Sequence, residues 1–146
     1  EEVESPPSVT LLHNEIILSV RPKSSQKKRD EVIAAWYRDE VRKAVAPLIH
    51  HWEKELGVQV NQLFVQRMKT RWGSCNHNKG NIRLNTELAK KPRICLEYIL
   101  AHEMVHLLEP SHNERFTTLM DQFMPQWRHY RDELNQAPLG FVEWEY

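Results

Sequence analysis

The sequence has few cysteines and no excess of charge of either sign, and each scarcity excludes a class of protein. Two cysteines among 146 residues, Cys75 and Cys95, cannot form the disulfide framework of a small secreted domain. A reducing, cytoplasmic compartment is therefore expected, with both thiols as small buried residues. Twenty basic side chains balance twenty acidic ones. A net charge of zero argues against binding nucleic acid or an anionic membrane through bulk charge alone.

Long apolar runs are also missing. None approaches the roughly 18 residues that a transmembrane helix requires, so no membrane partner is expected. The first four residues read EEVE, with no apolar stretch behind them, and this pattern is not that of a signal peptide. The chain does not begin with Met, and we expect one that was processed or cut from a longer protein.

What is present is ordinary for a globular domain, with 40% hydrophobic and 27% charged residues. Residues 1–22 are predicted to be a lead-in, disordered over residues 1–10, with a short strand in the β-branched stretch before Pro22. Residues 23–146 are predicted to form a single domain. Neither the sequence nor its composition indicates an oligomeric state.

The order of predicted elements within residues 23–146 indicates an α+β fold with a small, mainly antiparallel sheet. A long helix is expected over residues 24–57, capped by Ser24 or Ser25, stopped by Gly57, and kinked or split at Pro47. Strands are expected at residues 63–68 and 81–85, separated by a loop over residues 73–80. Helices are expected from Pro92 to about residue 109, from 112 to about 124, and over 126–135. The aromatic tail from residue 137 is expected to pack on the domain.

The chemistry concentrates in the segment His102-Glu103-Met104-Val105-His106, which is an HExxH motif. Residues four apart on a helix lie on the same face, about 6 Å apart along the axis, so His102 and His106 can bind one metal ion. Glu103 can then reach a water held by that metal and take its proton. Two histidines in a buried apolar helix could also be satisfied core residues, but the Glu between them favours a Zn²⁺ site.

A third ligand is needed, because catalytic zinc usually has three protein ligands and one open position. His112 is the leading candidate, although a continuous helix would put it on the wrong face. Pro110 breaks the helix, and Ser111 with Glu114 fits a capping box that would start a new helix and fold His112 back toward the metal. Glu114 and Glu109 are the acidic alternatives.

Three segments together resemble a known family: Arg71-Trp72-Gly73-Ser74-Cys75, Ile82-Arg83-Leu84-Asn85, and the HExxH motif with His112 and Phe116. They are similar to those of the YgjP-like metal-dependent hydrolases, which are themselves similar to SprT-type and Wss-type metallopeptidases. The resemblance covers residues 60–135. It implies a compact zincin fold, His102, His106 and His112 as ligands, and Glu103 as the catalytic base.

The resemblance leaves the roles of its first two segments open. Residues 81–85 could be an edge strand that pairs with an extended peptide or, equally, an interior strand. Related sequences often have a Tyr after the Pro that follows the third helix, where this chain has Pro125-Gln126-Trp127. The transition-state donor therefore stays open among Tyr98, His129 and Tyr130.

The leading functional hypothesis is a zinc-dependent metallopeptidase or related hydrolase acting on polypeptides. The first alternative is a nucleic-acid-associated module, which could act on DNA-crosslinked proteins. The second is a structural zinc site with Cys75 or Cys95 as a fourth ligand. The nucleic-acid hypothesis depends on two groups of basic residues: Lys23, Lys27, Lys28 and Arg29, and Arg67, Lys69 and Arg71.

Overall fold

The structure, a computed structural model, describes residues 8–12, 15–19, 25–136 and 144–145. It begins with two short strands, β1 (Ser8–Leu12) and β2 (Glu15–Ser19), which pair in antiparallel fashion. The sequence predicted only one strand in this region and missed β1, which falls partly in the segment expected to be disordered. Residues 1–7 lie outside the described residues.

Helix α1 (Gln26–Leu56) confirms the predicted long helix and its ends. The Ser25 side chain accepts a hydrogen bond from the Lys28 backbone N–H at 3.1 Å, and Gly57 closes the helix in the left-handed conformation with φ 69°. Pro47 does not split the helix, because α1 runs through it as one element, and the alternative of a kink stays a prediction. One face of α1 is buried in the core, including Val41, Val45 and Trp52.

The second sheet has three strands: β3 (Gln62–Gln66), β4 (Gly73–Asn76) and β5 (Asn81–Asn85). The strand order is β3-β5-β4, with β3 and β5 parallel and β4 and β5 antiparallel. The sheet is therefore small and mixed. Strand β5 lies in its middle, so the interpretation of residues 81–85 as an edge strand is wrong. Strand β4, which the sequence predicted as loop, is one of the two edge strands.

A 3₁₀ helix (Thr86–Lys90) connects β5 to helix α2 (Arg93–Val105), and two helices complete the fold, α3 (Glu114–Phe123) and α4 (Trp127–Leu134). Helix α2 is the centre of the molecule. It packs against α1, α3, α4 and the sheet, and every residue from Tyr98 to Val105 is buried. This α+β architecture, with a long first helix, a small sheet and helices after the HExxH helix, confirms the predicted fold class. No helix of the described residues is long and apolar enough to cross a membrane.

Candidate metal centre

The first two histidines lie at the C-terminal end of helix α2. His102 lies in its last turn and His106 is the residue that caps it, so the helix ends about four residues earlier than the sequence predicted. Both side chains are buried, as is Glu103 between them. The four-residue spacing puts the two imidazoles on one face, and the His102 and His106 Nε2 atoms lie 3.2 Å apart.

The turn after α2 brings His112 back to this face, as predicted, but by a different cap. The N-cap of α3 is Asn113, not Ser111: its Oδ1 accepts from the Phe116 N–H at 3.0 Å, and its Nδ2 donates to the Glu109 carboxylate. His112 therefore lies in the turn before the helix and not in its first turn. Asn caps as well as Ser does, and here it also ties both sides of the turn together.

The three histidine Nε2 atoms converge on one point. His112 Nε2 lies 2.9 Å from that of His106 and 3.2 Å from that of His102. Tetrahedral zinc sites have Zn–N bonds of about 2.0–2.1 Å, which places the nitrogens about 3.3 Å apart. Three imidazole nitrogens are also a donor set that suits zinc. Among the described residues these histidines form the only cluster of metal-ligating side chains, so no fourth protein ligand closes it.

Neighbouring groups and burial favour the neutral form of His106 and His112. The His106 Nδ1 lies 3.0 Å from the Glu109 carbonyl oxygen, which can only accept, so Nδ1 carries the proton and Nε2 presents its lone pair to the cluster. Burial lowers the pKa of His106 and lowers that of His112 to about 4. The buried Phe116 ring lies within 4.6–5.0 Å of all three imidazole centroids and forms an apolar floor.

Glu103 lies beside this cluster with an unpaired oxygen. Its Oε2 lies 3.9 Å from His102 Nε2 and has no hydrogen-bond partner among the described residues. Burial raises the pKa of the Glu103 carboxyl to about 8, and the charge of Arg71 acts in the opposite direction. The carboxyl fits here because residue 73 is glycine: a Cβ on Gly73 would come within 3.0 Å of Glu103 Cγ and Oε2, and within 2.8 Å of Ile99.

A cavity of about 540 Å³ opens onto the histidines and Glu103. Its walls include three β4 residues, Gly73, Ser74 and Cys75, and the side chains of Arg71 and His77. Trp144 and Glu145 also line it, although they come from the far end of the chain. Sequence reasoning named none of Arg71, His77 or Trp144 as a site residue, because their approach depends on long-range packing.

None of the three donor candidates proposed from the sequence lines this cavity. Tyr98 is fully buried and its hydroxyl oxygen accepts a hydrogen bond from the Trp144 indole at 2.9 Å. His129 is exposed on α4, and Tyr130 donates to Gln126 at 3.3 Å. The identity of the transition-state donor therefore stays an open prediction.

Asn85 explains why the two other signature segments belong together. Its buried Nδ2 donates to the Met68 carbonyl at 2.8 Å and to the Arg71 carbonyl at 2.7 Å, while its Oδ1 accepts from the Glu87 N–H at 3.0 Å. Its backbone N–H also donates to the Trp72 carbonyl at 2.9 Å. Asn85 thus fixes the loop before β4, which places Arg71 and Gly73 at the cavity.

The cysteines and the basic residues have separate positions. Cys75 lines the cavity, but burial and the nearby Glu103 raise its pKa to about 12, and Cys95 lies in the core. Neither joins the histidine cluster. The basic residues of the nucleic-acid hypothesis fall on α1 and on the loop after β3, except Lys23, which lies outside the described residues. That hypothesis stays a prediction.

Comparison with known proteins shows the fold and the family of this chain. The fold is similar to the crystal structure of the metallopeptidase zymogen of Pyrococcus abyssi abylysin, with a TM-score of 0.58 and 22% identity over 63% of this chain and 92% of that one. The zymogen of Methanocaldococcus jannaschii jannalysin matches at a TM-score of 0.47 and 19% identity, over 68% of this chain and 88% of that one. No curated protein matches the chain. The model of the YgjP-like family, metallopeptidase domain, matches residues 2–137. The chain therefore belongs to the YgjP-like metallopeptidase family, and it is a metal-dependent hydrolase.

Proposed function

We propose that this chain is a zinc-dependent peptidase in which Glu103 is the general base. One observation carries the proposal: the unpaired Glu103 Oε2 lies 3.9 Å from the Nε2 of His102, beside three converging imidazole nitrogens. His102, His106 and His112 would hold the ion. Bound zinc supplies a Lewis acid that acidifies water and polarises a substrate carbonyl.

Glu103 then acts on a water molecule at the open side of the cluster. Its carboxylate accepts a proton from the attacking water and delivers it to the leaving amine. The backbone holds it in place, because α2 fixes its Cα and Gly73 leaves room for its side chain. Phe116 packs against the buried His102 and His106 and limits water on that side, which strengthens the electrostatic interactions within the site.

Arg71 supports the negative charge that develops on the substrate carbonyl oxygen. Arg71 lines the cavity, and its charge partly offsets the rise in the pKa of Glu103 that burial causes. Its electrostatic field therefore reaches the part of the cavity where the carbonyl oxygen would lie. A group that stabilises this developing charge contributes about 10²-fold to rate. Arg71→Met should therefore lower kcat more than it raises KM.

An extended polypeptide fits this site along β4. Among the described residues this strand pairs only with β5, so its outer edge offers free backbone N–H and C=O groups. Gly73, Ser74 and Cys75 of this strand line the cavity. A substrate segment that pairs with that edge would run past the histidines, with its backbone recognised by the ladder bonds of strand addition.

The experiment measures zinc content and hydrolysis of an unfolded polypeptide, such as a reduced and alkylated protein, for the same preparations. Glu103→Gln should retain one zinc per chain and lose activity by about 10²-fold or more. His112→Ala should lose zinc. Glu114→Gln is the matched control: this carboxylate is exposed at the start of α3, and its loss should change neither readout. Activity of Glu103→Gln equal to that of the parent would refute the general-base role, and zinc retained by His112→Ala would refute the ligand set.

A further inference from the structure

Trp144 comes from the C-terminal tail and stands beside the metal centre. Its ring centroid lies 5.0 Å from that of His102, with the rings tilted by 60°, and it lines the cavity that contains Glu103. The match to the family model ends at residue 137, so Trp144 lies outside the matched segment.

Several hydrogen bonds hold the indole in place. Trp144 N–H donates to Asn135 Oδ1 at 2.9 Å, and Asn135 Nδ2 donates to the Trp144 carbonyl at 2.7 Å. The indole N–H donates to the Tyr98 hydroxyl oxygen at 2.9 Å, and Tyr98 is itself fully buried and stacked on Trp127. The next residue is also fixed, because the Arg131 guanidinium donates to the Glu145 carbonyl.

This indole bounds the cavity and does not fill it. Trp144 is half-buried against the core, and a cavity of about 540 Å³ remains beside it with the histidines on its surface. A pocket of this size accommodates a large side chain, and an aromatic face favours apolar and aromatic neighbours. We propose that Trp144 is a specificity-determining residue, whose indole forms the wall that receives an apolar or aromatic substrate side chain next to the scissile bond. The proposal rests on the peptidase function proposed above.

The test uses ligands that bind without being cleaved. Phenylalanine hydroxamate and alanine hydroxamate share a zinc-binding group and differ in the side chain that would meet the indole. Calorimetry with the zinc-loaded full chain should show the phenylalanine compound binding about tenfold more tightly, as one aromatic contact allows. In Trp144→Ala the ratio should fall to about twofold or less, and Trp144→Phe should keep most of it.

Two further variants separate this role from others. Trp36→Ala removes another half-buried indole, one that contacts Tyr37 on α1, and should leave the ratio unchanged. Tyr98→Phe keeps the ring but removes the acceptor of the indole N–H, so it should lower the ratio partway while zinc affinity stays the same.

Three outcomes would overturn the proposal. An unchanged ratio in Trp144→Ala would show that the indole does not meet the side chain. If both hydroxamates bound Trp144→Ala more tightly by the same factor, the tail would merely cover the cavity. If Trp144→Ala lost zinc, the indole would instead support His102. Because the readout is binding, the result is independent of peptide cleavage. If the chain did not hydrolyse peptides but kept the affinity ratio of the two hydroxamates, the proposed peptidase function would be refuted and the role proposed for Trp144 would not.

Discussion

Replacing Gly73 by Ala should displace Glu103 and lower activity by more than its effect on stability explains. The added Cβ would lie 2.8 Å from Ile99 Cγ2 and 3.0 Å from both Cγ and Oε2 of Glu103. Favourable carbon contacts need about 3.5–4.0 Å, so the neighbours must move by roughly 0.5–1 Å. Overpacking of this kind costs about 1–3 kcal/mol, and a misplacement of about 1 Å at a reacting group can cost about 10²-fold in rate.

The assay pairs thermal unfolding with the rate of peptide hydrolysis per bound zinc. For a domain of this length, the stability loss corresponds to a decrease in Tm of roughly 3–10 °C. Zinc content should be unchanged, because the atoms nearest to the new methyl group belong to Ile99 and Glu103 and not to a histidine. Activity is compared at a temperature where every variant is folded.

Gly57→Ala provides a matched control for stability alone. Gly57 has φ 69° and nothing within 4 Å of its virtual Cβ, so Ala there is strained without a clash, at a cost of about 1–2 kcal/mol. This variant should lose Tm but keep its rate per zinc. If Gly73→Ala kept the parent's rate, or if Gly57→Ala lost as much, the reasoning about Glu103 would be refuted.

Three other perturbations follow from the structure. Asn85→Asp replaces a buried amide that donates two hydrogen bonds by a carboxylate that can only accept, and so leaves two loop carbonyls unpaired. The free energy of unfolding, measured with denaturant, should fall by about 2–5 kcal/mol, whereas Asn61→Asp, at an exposed amide, should change it by under about 0.5 kcal/mol. Adding zinc at about a hundred times its Kd to protein that a chelator has stripped of metal should stabilise the fold by about 2.7 kcal/mol and raise Tm. His112→Ala should abolish this increase in Tm. Hydrogen bonds from Arg128 and Trp127 lower the pKa of Asp121, so Asp121 stabilises the fold above its unfolded-state pKa, about 3.9, and this stabilisation is lost as pH falls through the folded-state pKa. In Asp121→Asn the free energy of unfolding should therefore depend less on pH in this acid range, and an unchanged pH dependence would contradict the assignment.

The sequence by itself determined the features that depend on neighbours along the chain. The ends of α1 follow from Ser25 and Gly57, each of which satisfies backbone groups within a few residues. The pairing of His102 and His106 follows from helical periodicity, and the return of His112 follows from the break at Pro110. These are local rules, so they hold wherever the helix packs.

Only the tertiary structure decided which distant residues complete the site. The sequence predicts a loop at β4, because its four residues, Gly73 to Asn76, are too few to carry a periodic signal. Its pairing with β5 comes from the sheet. In the sequence, Asn85 cannot be distinguished from any other polar residue at the end of a strand. In the structure its buried amide fixes the loop that carries Arg71. Trp144 is 42 residues from His102 in the sequence and reaches it through Asn135 and Tyr98. Contacts of this kind are set by the packing of whole elements, and no spacing within one segment encodes them.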